Sequence, residues 1–199
     1  MRYEPWLQTC STGLAPLQRS ILDEEAETRL IRTWQPDVMI GLLQTEPYAR
    51  AILGACIDVL GIENDLDDVV ATRMRRQAVL DQDGHEFRFL IGEWVMRRTV
   101  GTHRIMVDQL AHLIDLMDNP RISFGIVPLD ADFRAPAAGF VIHDDTEASA
   151  EAVGGEIIVN DPDGIALHAR TFEILAGQAV YEDDAKRLIE TAVAEHQSR

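Results

Sequence analysis

The sequence predicts an α+β fold in which helices pack on a small, mainly antiparallel sheet within a single domain. Three observations carry this. The first third repeats its apolar residues at helical spacing. The chain then changes to two-residue alternation at Phe87-Arg88-Phe89-Leu90-Ile91, and three further strand-like runs precede two closing amphipathic segments. With 199 residues, 46% of them hydrophobic and three of them Trp, the chain can bury one substantial core. No internal repeat and no linker divide it.

Residues 1–15, with Pro5, Ser11, Thr12 and Gly13, keep no sustained period and predict a loosely ordered N-terminal arm, although Trp6 and Leu7 suit packing onto the domain over 16–199. Over 16–34, Leu17, Ile21, Leu22, Ala26, Leu30 and Trp34 recur at helical spacing while Arg19, Asp23, Glu24, Glu27 and Arg32 fall elsewhere, which predicts an amphipathic helix. Leu17 and Ile21 on that helix serve either a homodimer or the core. Pro36 ends it, and residues 38–43 carry the chain inward.

Thr45-Glu46-Pro47 opens a second helix: Thr45 suits the cap, Glu46 the positive dipole end, and Pro47 a position where a missing N–H costs nothing. It runs to Leu60 and stops at Gly61; a third helix covers 66–82 before the Asp83-Gly84 turn. Residues 87–91 predict a strand with one buried face, followed by a short helix at 93–98 and a longer one at 102–117 that Asn119-Pro120 terminates. Strands are expected at 122–127, 139–143 and 156–160, separated by a Pro/Ala/Asp-rich loop and an acidic loop. Asp161-Pro162-Asp163-Gly164 is a turn signal, and helices over 166–180 and 183–195 close the domain.

Composition excludes several functions. A net charge of −16, from 34 acidic against 18 basic side chains, repels phosphate backbones and argues against direct nucleic-acid binding. Cys10 and Cys56 have no metal spacing and form at most one bridge, which suits a reducing, cytoplasmic setting. No apolar run approaches the roughly 18 residues of a membrane span, and no basic-then-apolar leader opens the chain, so neither membrane insertion nor export is expected.

The six histidines make no HxxxH or HExxH grouping. The nearest to a metal site is His143-Asp144-Asp145 with Glu147, but alternating directions along that run favour a solvated acidic loop, and no metal is expected. Gly139 and Gly154-Gly155 make no dinucleotide fingerprint, and there is no P-loop and no GxSxG elbow, so no cofactor is implied.

The densest basic cluster in this acidic chain is Arg73, Arg75 and Arg76, with a second at Arg97 and Arg98. On a helix, Arg73 and Arg76 share a face, and their planar guanidinium forks suit an anion or carboxylate pocket. An ion pair with one of the many carboxylates is the structural alternative. Glu93 follows a buried strand, where desolvation would raise its pKa and suit proton transfer, which makes it the one catalytic candidate. A pairing with Arg73, Arg76 or Arg97 that locks strand to helix competes with that role. Gln44 precedes the second helix, where it can bind backbone or ligand, and Tyr48 suits packing, so the candidate ligand-binding set is Gln44, Tyr48, Arg73, Arg76 and Glu93.

Residues 34–53, WQPDVMIGLLQTEPYARAIL, combine with Arg73-Met74-Arg75-Arg76-Gln77, the Glu93-x-x-x-Arg97-Arg98-x-Val100-Gly101 pattern, Gln109-Leu110 and a strand ending at Val127-Pro128. Over about residues 22–189 this resembles the sensor or antitoxin-like C-terminal domain of actinobacterial helix-turn-helix (Xre-type) regulators, a domain family of unknown function. About twenty residues precede its first helix, too few for the DNA-binding half. The resemblance implies a stand-alone regulatory module that binds a small-molecule ligand or a small partner protein and not DNA. The alternative is an enzyme on the same scaffold, tailoring a natural product by acid/base or shape-directed catalysis.

Overall fold

The computed structural model describes residues 1–135 and 138–199; the predicted Pro/Ala/Asp-rich loop includes Pro136 and Ala137, which lie outside the described residues. It has strands β1 (Arg2–Pro5), β2 (Leu30–Gln35), β3 (Glu86–Gly92), β4 (Ile122–Val127), β5 (Phe140–His143), β6 (Glu147–Ala152) and β7 (Gly155–Val159). Its helices are α1 (Trp6–Thr9), α2 (Ala15–Glu27), α3 (Glu46–Leu60), α4 (Leu66–Arg76), α5 (Trp94–Arg97), α6 (His103–Leu116), α7 (Pro162–Ala176) and α8 (Glu182–Gln197), with 3-10 segments at Gly41–Leu43 and Gln77–Asp81. None of the described helices is long and apolar enough to cross a membrane.

The strands form one sheet in the order β1-β7-β6-β5-β2-β3-β4. Four of its six pairings are antiparallel, while β2–β3 and β3–β4 are parallel, which is the expected α+β class with a mainly antiparallel sheet. Each parallel pair needs a long crossover, and α3 with α4, then α5 with α6, supply them.

Three elements differ from expectation. The predicted helix over 16–34 ends at Glu27, where Thr28 turns extended (φ −87°, ψ 124°), and residues 30–35 become the interior strand β2. Leu30 and Trp34 stand four apart, a spacing that satisfies a helix and one face of a strand equally, and β2 is buried on both faces so it shows no alternation. The acidic segment EASAEA is strand β6 because its backbone groups pair with β5 and β7 on both sides, overriding weak strand preference. The expected arm is also ordered: Arg2–Pro5 pairs with β7 as an edge strand, Trp6 Nε1 donates to Ala152 O at 2.9 Å, and Cys10 and Leu14 are buried. Paired backbone and buried apolar side chains replace the looseness that composition suggests.

Smaller differences follow the same logic. β3 is buried on both faces rather than one, since Phe87, Phe89 and Ile91 enter one core and Leu90 another. The start of α3 is capped by Gln109, whose Oε1 accepts from Thr45 N at 2.7 Å and whose Nε2 donates to Leu43 O at 2.7 Å, while the Thr45 side chain makes no cap. Gly61 ends α3 in the left-handed region at φ 62°, as its composition requires.

The sheet divides the molecule into layers. On one face α7 packs through Phe172 and Leu175 against Trp34, Leu90, Ile142 and Val159. On the other, α6 and α8 cover β3 and β4 through Met106, Leu110, Ala185 and Ile189. The remaining part of that second face, presented by β2, β5, β6 and β7, stands below α2, α3 and α4, which make a small helical core of their own around Leu53, Ile57, Val69 and Val70. The helices do not fill the space between, and the gap is a cleft.

Candidate functional site

The cleft encloses about 520 Å³, within the usual size for small-molecule sites. Leu17 and Ile21 of α2, Val38 and Ile40 before α3, Ile52 of α3 and Val141 of β5 make it largely apolar. Leu17 and Ile21 therefore face an internal space. Alternation along the strands decides which polar residues enter it: Thr33 and Gln35 of β2, His143 of β5, Ser149 and Glu151 of β6 and Glu156 of β7 share the cleft side.

Arg73 and Arg76, one helical turn apart on α4, have different surroundings. Arg76 is buried and makes a two-pronged pair with Glu25 of α2, Nε to Oε2 at 2.9 Å and Nη2 to Oε1 at 2.6 Å, and its Nη1 donates to Gln18 Oε1 at 2.5 Å. Glu25 and Gln18 lie seven residues apart, hence on one face of α2. Arg73 forms no ion pair among the described residues. Its Nε donates to Gln18 Oε1 at 3.0 Å and its Nη1 to Gln44 Oε1 at 2.9 Å, both neutral amides. Arg73 is half-buried at the edge of the cleft, and burial, then the neighbouring Arg76 charge, bring its pKa down to about 10. It stays a cation at neutral pH, and among the described residues both hydrogens of Nη2 and one of Nη1 have no protein acceptor.

Gln44 is held rigidly, since its Nε2 donates to Met39 O at 2.7 Å while its Oε1 receives Arg73. Tyr48 is wholly buried and its hydroxyl accepts from Met39 N at 3.0 Å; burial raises the phenol, which stays protonated. Tyr48 thus supports the loop that carries Gln44 and does not line the cleft.

Glu93 stands elsewhere. It is buried at 6% exposure, its Oε1 accepts from Arg97 Nε at 3.0 Å and Nη2 at 2.5 Å, and its Oε2 accepts from Leu129 N at 2.9 Å. Arg97 in turn pairs with Glu195 of α8. This clamp joins the end of β3, the end of β4 and α8, beside a shallow recess lined by Pro128, Leu129 and Leu188. The partner of Glu93 is Arg97, and the structure brings it to neither Arg73 nor Arg76.

The opposite wall was missed by the sequence reading. Glu151 and Glu156 are direct cross-strand partners, and Glu4 of β1 lies opposite Glu156 on its other side, which puts three carboxylates in one row. Burial pushes Glu156 above the usual carboxylate range, the hydrogen bond from Ser149 opposes this, and the charges of Glu151, Glu24 and Glu4 add to the rise. Among the described residues, neither Glu151 nor Glu156 has an ion-pair partner. The Ala152-Val153-Gly154-Gly155 segment was the available signal: as a hairpin turn it pairs the two glutamates that flank it.

Other polar groups of the cleft are satisfied. His143 Nδ1 lies 3.0 Å from Glu24 Oε1, a contact that lowers the Glu24 pKa. The His143-Asp144-Asp145 run diverges as expected: Asp144 accepts from Leu30 N at 2.8 Å and Asp145 pairs with Arg32 at 2.7 Å. No group of three or more His, Cys, Asp or Glu among the described residues is placed to hold a metal ion. Cys10 and Cys56 border the cleft as free thiols, both raised chiefly by burial, so neither is an activated nucleophile.

A comparison with curated proteins gives no match. Among solved structures the chain is similar to TrmBL2, an archaeal chromatin protein described as binding DNA, at 10% identity and a TM-score of 0.45. That match covers 91% of this chain and 52% of the other, so the chain spans about half the length of that protein. The family profile for a domain of unknown function, DUF5753, matches residues 18–191, and the chain belongs to that family.

Proposed function

We propose that this chain is a regulatory ligand-binding module whose cleft takes a small molecule with an anionic group on an apolar body. The observation that carries the proposal is Arg73: a half-buried guanidinium, bonded among the described residues only to the amides of Gln18 and Gln44, at the edge of an apolar cleft of about 520 Å³. A half-buried guanidinium whose hydrogen bonds go to neutral amides can still take a ligand carboxylate or phosphate through charge-assisted hydrogen bonds. Gln18 and Gln44 fix the orientation of the fork, so little rotamer freedom is lost on binding. Arg76 acts as support, because Glu25 already satisfies it.

The resemblance of residues 22–189 to the sensor halves of helix-turn-helix regulators motivates this reading, and the family to which the chain belongs is a domain of unknown function. In this reading the module works in the cytoplasm, does not itself bind DNA at a net charge of −16, and passes ligand occupancy to a partner. The acid/base form of an enzyme on the same scaffold depended on Glu93, which is engaged with Arg97 and Leu129 away from the cleft, and no specific observation favours the shape-directed form.

The test is a thermal-shift comparison of decanoate with decanol on the wild type and on Arg73→Met. Decanoate is expected to raise the wild-type Tm, decanol to raise it less, and Arg73→Met to lose the difference. Equal responses of the two proteins to decanoate would remove Arg73 as the anchor.

A further inference from the structure

The charges of the cleft can be cancelled pair by pair. Arg76 takes Glu25 in direct contact, and Glu24 lies in hydrogen-bond contact with His143. Three charged cleft residues remain without an ionic partner among the described residues: Arg73 on α4, and Glu151 and Glu156 on β6 and β7. Glu151 is near enough to favour the charged form of Arg73 yet makes no hydrogen bond to it, so cation and carboxylates stand on separate walls of one space.

The sheet wall is unfavourable by itself. Like charges directly opposite on neighbouring strands repel, and here Glu151 faces Glu156, while Glu4, next in the row, pairs with Arg2 at 3.0 Å. Glu151 is exposed and Glu156 half-buried, whereas the buried carboxylates Glu25 and Glu93 are met by Arg76 and Arg97. Carboxylates alone would specify nothing. A guanidinium fixed by two amides at the edge of the same cleft gives them a second pole, and the apolar residues between the walls define the middle of the ligand.

We infer that the ligand is an amphipathic zwitterion, with a carboxylate or other anion held by Arg73, an apolar body along Leu17, Ile21 and Val141, and an ammonium or guanidinium group received by Glu151 and Glu156. This rests on the proposed ligand-binding role of the cleft. Burial and mutual repulsion already push the Glu156 carboxyl up, and an arriving cation would reverse both influences and bring it back to the ionised form.

The experiment is isothermal titration of the full chain with ω-amino carboxylates from six to twelve carbons, beside the plain carboxylate and plain alkylamine of each length. One length is expected to bind at least about tenfold tighter than its carboxylate, equivalent to about 1.4 kcal/mol. Glu151→Gln combined with Glu156→Gln should abolish that preference while leaving carboxylate binding unchanged, and Arg73→Met should abolish binding of both. If carboxylates bind through Arg73 and the amino group adds nothing at any length, the zwitterion inference is overturned while the cleft reading stands. If no carboxylate or amino carboxylate binds, or Arg73→Met binds them as well as wild type, both fail together.

Discussion

The clamp around α5 and the cleft around α4 use the same residue types in opposite ways. At the clamp, Arg97 lies between Glu93 and Glu195 in direct contact, and a backbone N–H completes the Glu93 carboxylate. At the cleft, Arg73 hydrogen-bonds among the described residues only to amides, and carboxylates without a partner stand on the facing sheet. Contact between opposite charges joins secondary elements and leaves nothing to recognise a ligand. Separation across an apolar space leaves binding energy unspent, and it marks the cleft as the place where a ligand would complete the electrostatics.

Breaking the contact type should have the largest effect on stability. Arg76→Met removes the partner of a buried carboxylate and is expected to cost about 3–5 kcal/mol in urea unfolding, with Glu25→Leu added to it restoring most of the loss. A next, smaller effect belongs to Glu93→Gln, which weakens the hold on Arg97: about 1–3 kcal/mol by the same measurement, with decanoate binding unchanged.

Separated charges should behave in the reverse sense. Glu156→Gln relieves cross-strand repulsion and is expected to stabilise the unliganded protein by about 0.2–1 kcal/mol at neutral pH. The advantage should shrink as pH falls toward the ordinary carboxyl range. With its folded-state pKa raised, Glu156 binds its proton more readily folded than unfolded, so the wild type gains stability on acidification relative to the glutamine variant. A gap that widens on acidification would contradict this. Arg73→Met should change stability least, by under about 1 kcal/mol, because it removes a desolvated cation with neutral partners. Gln44 keeps Met39 and Gln18 keeps Arg76 in that variant, while decanoate binding is lost.

Much of the fold was legible where local chemistry is decisive. The bounds of α3 follow from Glu46-Pro47 and Gly61, and β4 from its apolar run ended before Pro128. β2 was absorbed into a helix because a residue spacing of four serves both periods, and β6 was read as an acidic loop because its strand character comes from its neighbours. The site divides similarly. Arg73 and Gln44 stand out as charge and motif, and the structure brings them together at 2.9 Å. Glu151 and Glu156 acquire meaning only once the hairpin between them is recognised, and Glu93 looked functional because a buried carboxylate reads the same whether it is clamped or free.

The most direct measurement is native mass spectrometry of the wild type and Arg73→Met, each purified from the host of the protein, with denaturing analysis of whatever is released. We expect the wild type to carry a small molecule bearing an anionic group and Arg73→Met to emerge without it. A wild type with an empty cleft and a stoichiometric protein partner, or the same molecule retained by both proteins, would contradict the assignment of Arg73 as ligand anchor.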